Sequence, residues 1–145
     1  MIENYKKYKL KDIAKYERAK KGTIYPIGST IIQISASKGE VEYLEDDMEV
    51  VEGKYAVVIP DKNINKRYFN IVVNKNIKRF FMKYQSGLNI QIKDIGEIVI
   101  ELHERDIQDT IAAHFEAIEG DERAIIREIG IMTTLKNRFL RDLFI

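Results

Sequence analysis

The chain has 145 residues, of which 45% are hydrophobic and 32% charged, with a formal net charge of +1 and no cysteine. That length holds one domain with an appendage and buries roughly 68–70% of its unfolded surface, so no covalent staple is needed. The lack of cysteine excludes disulfide frameworks and thiolate metal sites. No apolar run approaches the ~20 residues of a membrane span, and the start MIENYKKYKLKD has no apolar signal-peptide core. A cytoplasmic protein with no membrane role is expected.

The near-neutral total hides a segregation of charge. Residues 1–38 carry nine Lys/Arg against three acids, and residues 40–52 carry seven acids and no base. Residues 53–93 carry nine bases against Asp61 alone, whereas 94–128 hold eleven acids against three bases. Surface field is set locally, so two basic blocks on a neutral chain can still hold a polyanion.

Leu10 to Lys20 reads as a short helix that Gly22 ends. Pro26 and Gly28 frame a turn before Thr30–Ser35, a strand by its β-branched content. Ser37-Lys38-Gly39 is a turn, Val41 and Tyr43 alternate with Glu40 and Glu42 as a half-exposed strand, and Glu45-Asp46-Asp47 is a loop. Tyr55–Ile59 is an apolar run that Pro60 ends, which suits a buried strand. Residues 64–84 show one helical face twice over, Ile64, Tyr68 and Val72, then Ile77, Phe80, Phe81 and Tyr84, and two short helices are expected there. After Gly87, Ile90 with Ile92 and then Ile98–Ile100 read as two short strands. Glycine is a poor helix former, so Gly120 is expected to divide the C-terminal helical region into a helix near 104–118 and one near 121–143, the latter about 35 Å long.

Within that region Ile111, Ile118, Ile125, Met132 and Phe139 recur every seven residues. Phe115, Glu122, Ile129, Lys136 and Leu143 form a second series at the same spacing. Together they trace the alternating three-four seam of a helix that packs lengthwise on another helix. Only Glu122 and Lys136 interrupt it.

Motifs for chemistry are scarce. Ser35-Ala36-Ser37-Lys38 has the S-x-x-K spacing of acyl-serine enzymes, but it sits at a strand end and its KTG and SDN companions are absent, so a turn accounts for it better. His103 and His114 are the only histidines and are not spaced as a metal-binding pair on one helix. The acids at 45–49 lack the Ca²⁺-loop pattern, and neither GxxxxGK[ST] nor GxGxxG occurs. No enzyme chemistry, metal or bound cofactor is expected of this chain. The basic segments differ because amides and aromatics are interleaved with the charge. Lys62, Asn63, Asn65, Lys66, Arg67, Tyr68 and Asn70 form one cluster; Asn74, Lys75, Asn76, Lys78, Arg79, Lys83, Tyr84 and Gln85 form another. Lys and Arg neutralise phosphates, while amides and hydroxyls can read base edges.

The order of these segments resembles one half of a specificity subunit of type I restriction–modification systems. Leu10-Lys11-Asp12-Ile13-Ala14 with Lys20-Lys21-Gly22 resembles the opening of a target recognition domain. Tyr25-Pro26 and Gly28–Gly39 resemble its first core strand and turn, and Lys54–Pro60 the next strand. Lys83–Gln91 resembles the Gly-containing segment before the last strands. Ile98–Leu102 with Glu104–Ile111 resembles the approach to the conserved helix, and Leu135–Ile145 its close. His103 stands where proline is common in that family, and Arg105-Asp106 replaces part of a Glu-Gln signature. Members carry two recognition domains and two long helices, whereas this sequence has one of each, as in a half-subunit or a fragment.

The resemblance implies an α+β fold: a target recognition domain over 1–102, with a small β-sheet and short helices, then a coiled-coil-type helical spacer over 103–145. It implies a non-catalytic subunit that reads double-stranded DNA, pairs with itself through Ile118, Ile125, Ile129, Met132, Leu135, Phe139 and Leu143, and presents a bipartite palindromic specificity. Methyltransferase subunits using S-adenosylmethionine, and possible endonuclease subunits, would be its partners. The residues expected to touch DNA are Ser35, Ser37, Lys38, Lys62, Lys66, Arg67, Tyr84, Gln85, Ser86 and Asn89. The alternative is a non-catalytic interaction module that binds or regulates restriction–modification subunits through its C-terminal helix.

Overall fold

Ile31-Ile32 and Val57-Val58 are consecutive apolar pairs, so a strand through either must bury both of its faces. The computed structural model, which describes residues 4–85, 87 and 89–143, covers both. Its strands are β1 (Tyr5–Lys9), β2 (Ala14–Arg18), β3 (Ile24–Tyr25), β4 (Thr30–Gln33), β5 (Val41–Tyr43), β6 (Met48–Glu49), β7 (Tyr55–Pro60) and β8 (Val99–His103). Its helices are α1 (Leu10–Ile13), α2 (Lys66–Tyr84), α3 (Ile92–Ile95) and α4 (Arg105–Leu143). A four-stranded antiparallel sheet runs β2-β7-β4-β5, with two-stranded ribbons β1-β8 and β3-β6 beside it. The fold is α+β.

In the central pairing Ile31 lies opposite Val57 and Ile32 opposite Ala56. Alternation then sends Ile32, Ile34, Ala56 and Val58 into one cluster with Tyr68, Phe69, Val72, Val73 and Ile77 of α2. Ile31 and Val57 enter a second cluster with Ala19, Tyr25 and Leu44. Each fully buried aliphatic side chain contributes about 1.5–3 kcal/mol. The chain divides into two compact units, Met1–Ala112 and Ala113–Ile145. The first unit takes in the start of α4, where Gln108 and Ala112 are buried.

Four local expectations change. The helix expected over Leu10–Lys20 stops at Ile13, because Ala14–Arg18 pair with Pro60–Ala56 as β2; long-range pairing overrides local preference. Residues 66–84 form one helix, with Asn65 as N-cap accepting from the Tyr68 N–H. The buried Asn70 does not interrupt α2, since its amide donates to the Thr30 hydroxyl and the Glu42 carbonyl across the sheet. Ile92 starts the short α3 instead of belonging to a strand, although the Ile90 N–H still donates to the Ile34 carbonyl. Gly120 does not end α4, which is continuous from Arg105 to Leu143. A helical glycine costs about 1 kcal/mol relative to alanine, which a long flanking helix absorbs. No helix among the described residues is long and apolar enough to cross a membrane.

Candidate nucleic-acid interface

The residues expected to touch DNA fall into two groups, one at each end of α2. That helix is 19 residues long, which sets the groups about 27 Å apart along its axis.

At its N-terminal end are Lys62, Lys66 and Arg67. Lys62 is exposed in the loop before the helix. The Lys66 stem lies against Gly28, whose positive φ (+87) makes the turn, and its ammonium donates to the Ile27 carbonyl at 3.3 Å. The Arg67 guanidinium sits 4.7 Å from the centre of the Tyr43 ring. Such stacking holds the planar guanidinium over the ring.

At the other end the β4–β5 loop meets the residues that follow α2. The Gln85 amide donates to the Ser37 carbonyl at 2.8 Å, and Asn89 Oδ1 accepts from the Ala36 N–H at 3.1 Å. Ser35, Ser37, Lys38, Gln85 and Asn89 are therefore brought together. Ser37 is buried; its hydroxyl donates to Glu40 and accepts from the Gly39 N–H, so the side chain holds the loop. The Lys38 and Glu40 backbone N–H groups and the Ser37 hydroxyl keep the Glu40 carboxyl below its ordinary range. Ala36 adopts a left-handed conformation, φ 50, which a non-glycine residue holds only when its surroundings impose it. The Asn89 and Gln85 bonds supply that constraint. Each amide has a second polar end, and among the described residues none is bonded to the Asn89 Nδ2 or the Gln85 Oε1. Tyr84 stacks on Phe80 at 4.6 Å, with the Lys83 ammonium 5.4 Å from its ring centre. Ser86 lies outside the described residues.

A third basic feature was not singled out from sequence. Lys7 and Lys9 of β1 line a groove with Asn76, Arg79 and Lys83 of α2, and Glu97 and Glu101 close it. The signal was the Lys-rich start of the chain, but only the pairing of Tyr5–Lys9 with His103–Val99 places it beside α2. The acids temper the groove. Glu97 accepts from Lys11 and Lys9, both at 2.7 Å, which lowers its carboxyl to about 2, and Lys75 pairs with Glu101 at 3.0 Å.

Sequence reading also missed the way α4 begins. The buried Gln108 accepts from the Asn65 N–H at 2.9 Å and donates to the His103 carbonyl at 2.7 Å. Asp109 accepts from the Asn65 amide and from Arg105, both at 2.8 Å, and these bonds hold its carboxyl below the ordinary value. His103 is half-buried against Tyr68 and Tyr5. The Tyr68 hydroxyl donates to the Glu101 carbonyl at 2.6 Å and lies 2.6 Å from His103 Nδ1. Gln108 lies in the Glu104–Ile111 segment that resembles the approach to the conserved helix, but the motif does not show which backbone groups its amide bonds.

The second unit presents its seam outward. Ile118, Ile125, Ile129, Met132, Leu135, Phe139 and Leu143 are all exposed, at 56–65%. Phe115, Ile126, Ile131 and Leu140 add to the exposed apolar surface. Contiguous apolar surface of this kind marks an interaction site.

No family model matches the chain, and no curated protein matches it by sequence. Solved structures do match. The HsdS subunit from Thermoanaerobacter tengcongensis is 12% identical with a TM-score of 0.65, over 88% of this chain and 40% of that one. The type I restriction-modification S subunit from M. genitalium is 12% identical with a TM-score of 0.69, over 93% and 44%. A chain from a structure described as the basis of complex assembly and conformational transition of the type I R-M system is 11% identical with a TM-score of 0.70, over 88% and 41%. The chain thus has the fold of type I specificity subunits and spans about two fifths of their length.

Proposed function

We infer that the chain is the DNA-recognition part of a type I restriction–modification complex, a non-catalytic specificity subunit or half-subunit. The observation that carries this reading is the fold likeness, in which 88–93% of the chain matches 40–44% of such subunits. Residues 1–102 are the recognition domain and 103–145 the helical spacer. Exposed Lys62, Lys66 and Lys38, with the half-buried Arg67, neutralise phosphates, a term that gives affinity without sequence. The loop polar groups, Ser35, Gln85 and Asn89 with Tyr84 beside them, read base edges, and Ser37 holds them in place.

The exposed seam of α4 pairs with a second copy. Two-fold symmetry then places two recognition domains on inverted half-sites. S-adenosylmethionine belongs to the methyltransferase partner, and any cleavage to an endonuclease partner; this chain binds neither cofactor nor metal.

Selection from a random-sequence duplex library, using the full chain with its methyltransferase partner, tests the reading. Enrichment of two inverted half-sites supports it. Capture of the methyltransferase without any enriched sequence would favour the other reading, an interaction module working through the exposed face of α4.

A further inference from the structure

The apolar face of α4 carries its own register marks. Along residues 113–143 the apolar seam is broken by Glu122 and Lys136, one heptad either side of Ile129. All residues from 121 to 143 are exposed, and among the described residues neither the Glu122 nor the Lys136 side chain has a hydrogen bond or ion pair. Charge along the helix is also split. Residues 113–128 carry five acids against two bases, and residues 129–143 three bases against one acid. The helix dipole does not explain the acids, because it acts only within the first turn and α4 starts at Arg105. A parallel pair would set acidic half on acidic half, with Glu122 facing Glu122. An antiparallel pair sets each acidic half on a basic one.

We propose that α4 pairs antiparallel with a second copy of this chain in a single register, fixed by two symmetry-related Glu122–Lys136 ion pairs inside the apolar seam. This deepens the self-pairing described above and rests on it. A two-fold axis between Gly130 and Ile131 sets Ile118 opposite Leu143, Met132 opposite Ile129 and Phe139 opposite Glu122 of the second copy. Glu122 and the second copy's Lys136 are then offset by three residues, about 4.5 Å along the axis, within reach of both side chains. Sliding by one heptad to engage Ile111 is disfavoured, because Ile111 already packs on the core of the first unit. A polar residue at a seam position specifies register at a cost in stability, since removing one partner strands the other charge.

The test uses the full chain and charge reversal. Glu122→Lys and Lys136→Glu are exposed changes, and circular dichroism confirms that each variant folds. In sedimentation experiments each single variant should self-associate at least about tenfold more weakly than the parent, because both pairs become like-charged. An equimolar mixture of the two variants should recover parental affinity, because every Glu–Lys pair is restored across the heterodimer. The chain has no cysteine, so a second measurement is free of background: Ile118→Cys chains mixed with Leu143→Cys chains should form a disulfide. In parallel pairing those positions lie about 37 Å apart.

Single variants that associate like the parent, or a mixture that stays weak, would overturn the register while leaving self-pairing intact. Failure of the 118–143 disulfide to form in an associated mixture would overturn it too. A parent that stays monomeric at all concentrations overturns the register and the self-pairing together.

Discussion

Replacing Gln108 by leucine should destabilise the first unit far more than a conservative change in size implies. Gln108 is 3% exposed and accepts the Asn65 N–H while donating to the His103 carbonyl. Leucine fills most of the volume but leaves both backbone groups without a partner. An unsatisfied buried polar group costs about 1–3 kcal/mol. Because the Asn65 N–H is only partly buried, the sum is about 2–4 kcal/mol. With a urea dependence of about 1–3 kcal/mol per molar, the denaturation midpoint should fall by roughly 1–2 M. The chain has eight tyrosines and no tryptophan, so tyrosine fluorescence follows the first unit, and far-ultraviolet circular dichroism follows α4 as well. A midpoint within about 0.3 M of the parent would refute the view that Gln108 ties the start of α4 to the N-terminus of α2.

The double change Lys66→Ala with Arg67→Ala should weaken duplex binding and lower the salt slope by about 1.8, the value for two lost phosphate contacts; fluorescence anisotropy across a salt series reads both. Glu97→Gln should lower stability at neutral pH. The Glu97 carboxyl falls from 4.5 to about 2 on folding, so its contribution is present above about 4.5 and is lost as pH drops through about 2. Parent and variant melting temperatures should therefore converge over that window. High salt should narrow the gap as well, because the pairs with Lys9 and Lys11 are solvent-accessible. Gly120→Ala and Gly130→Ala should each stabilise α4 by about 0.8–1.0 kcal/mol, since an added Cβ meets nothing within 4 Å at either site. Loss of self-association in Gly130→Ala would show that residue 130 faces the second copy.

The apolar strands were legible because period and burial agree. Thr30–Gln33 and Tyr55–Pro60 are β-branched runs bounded by glycine or proline, and both form core strands. The heptad spacing of α4 is read from the sequence alone, and the segment is one helix, although its apolar residues from Phe115 to Leu143 are exposed. Strands made by distant pairing were not legible. Tyr5–Lys9 has three lysines in five residues, which suits an edge strand but carries no alternating signal. Ala14–Arg18 looks helical until β7 claims it. At the candidate interface, sequence singled out cations and amides but not their grouping, because α2 sets the two groups at opposite ends. The buried Ser37 shows the same limit: a hydroxyl in a turn reads as available until Glu40 and Gly39 are seen to occupy it.

The most direct measurement is a methylome. The chain would be expressed with its methyltransferase subunit in a host free of adenine methylation, and the modified positions mapped. A two-part motif whose halves are inverted copies of each other is the predicted result, because the proposed self-pairing repeats one recognition domain about a two-fold axis. An unmodified genome, with the two proteins still associated, would contradict DNA recognition by this chain.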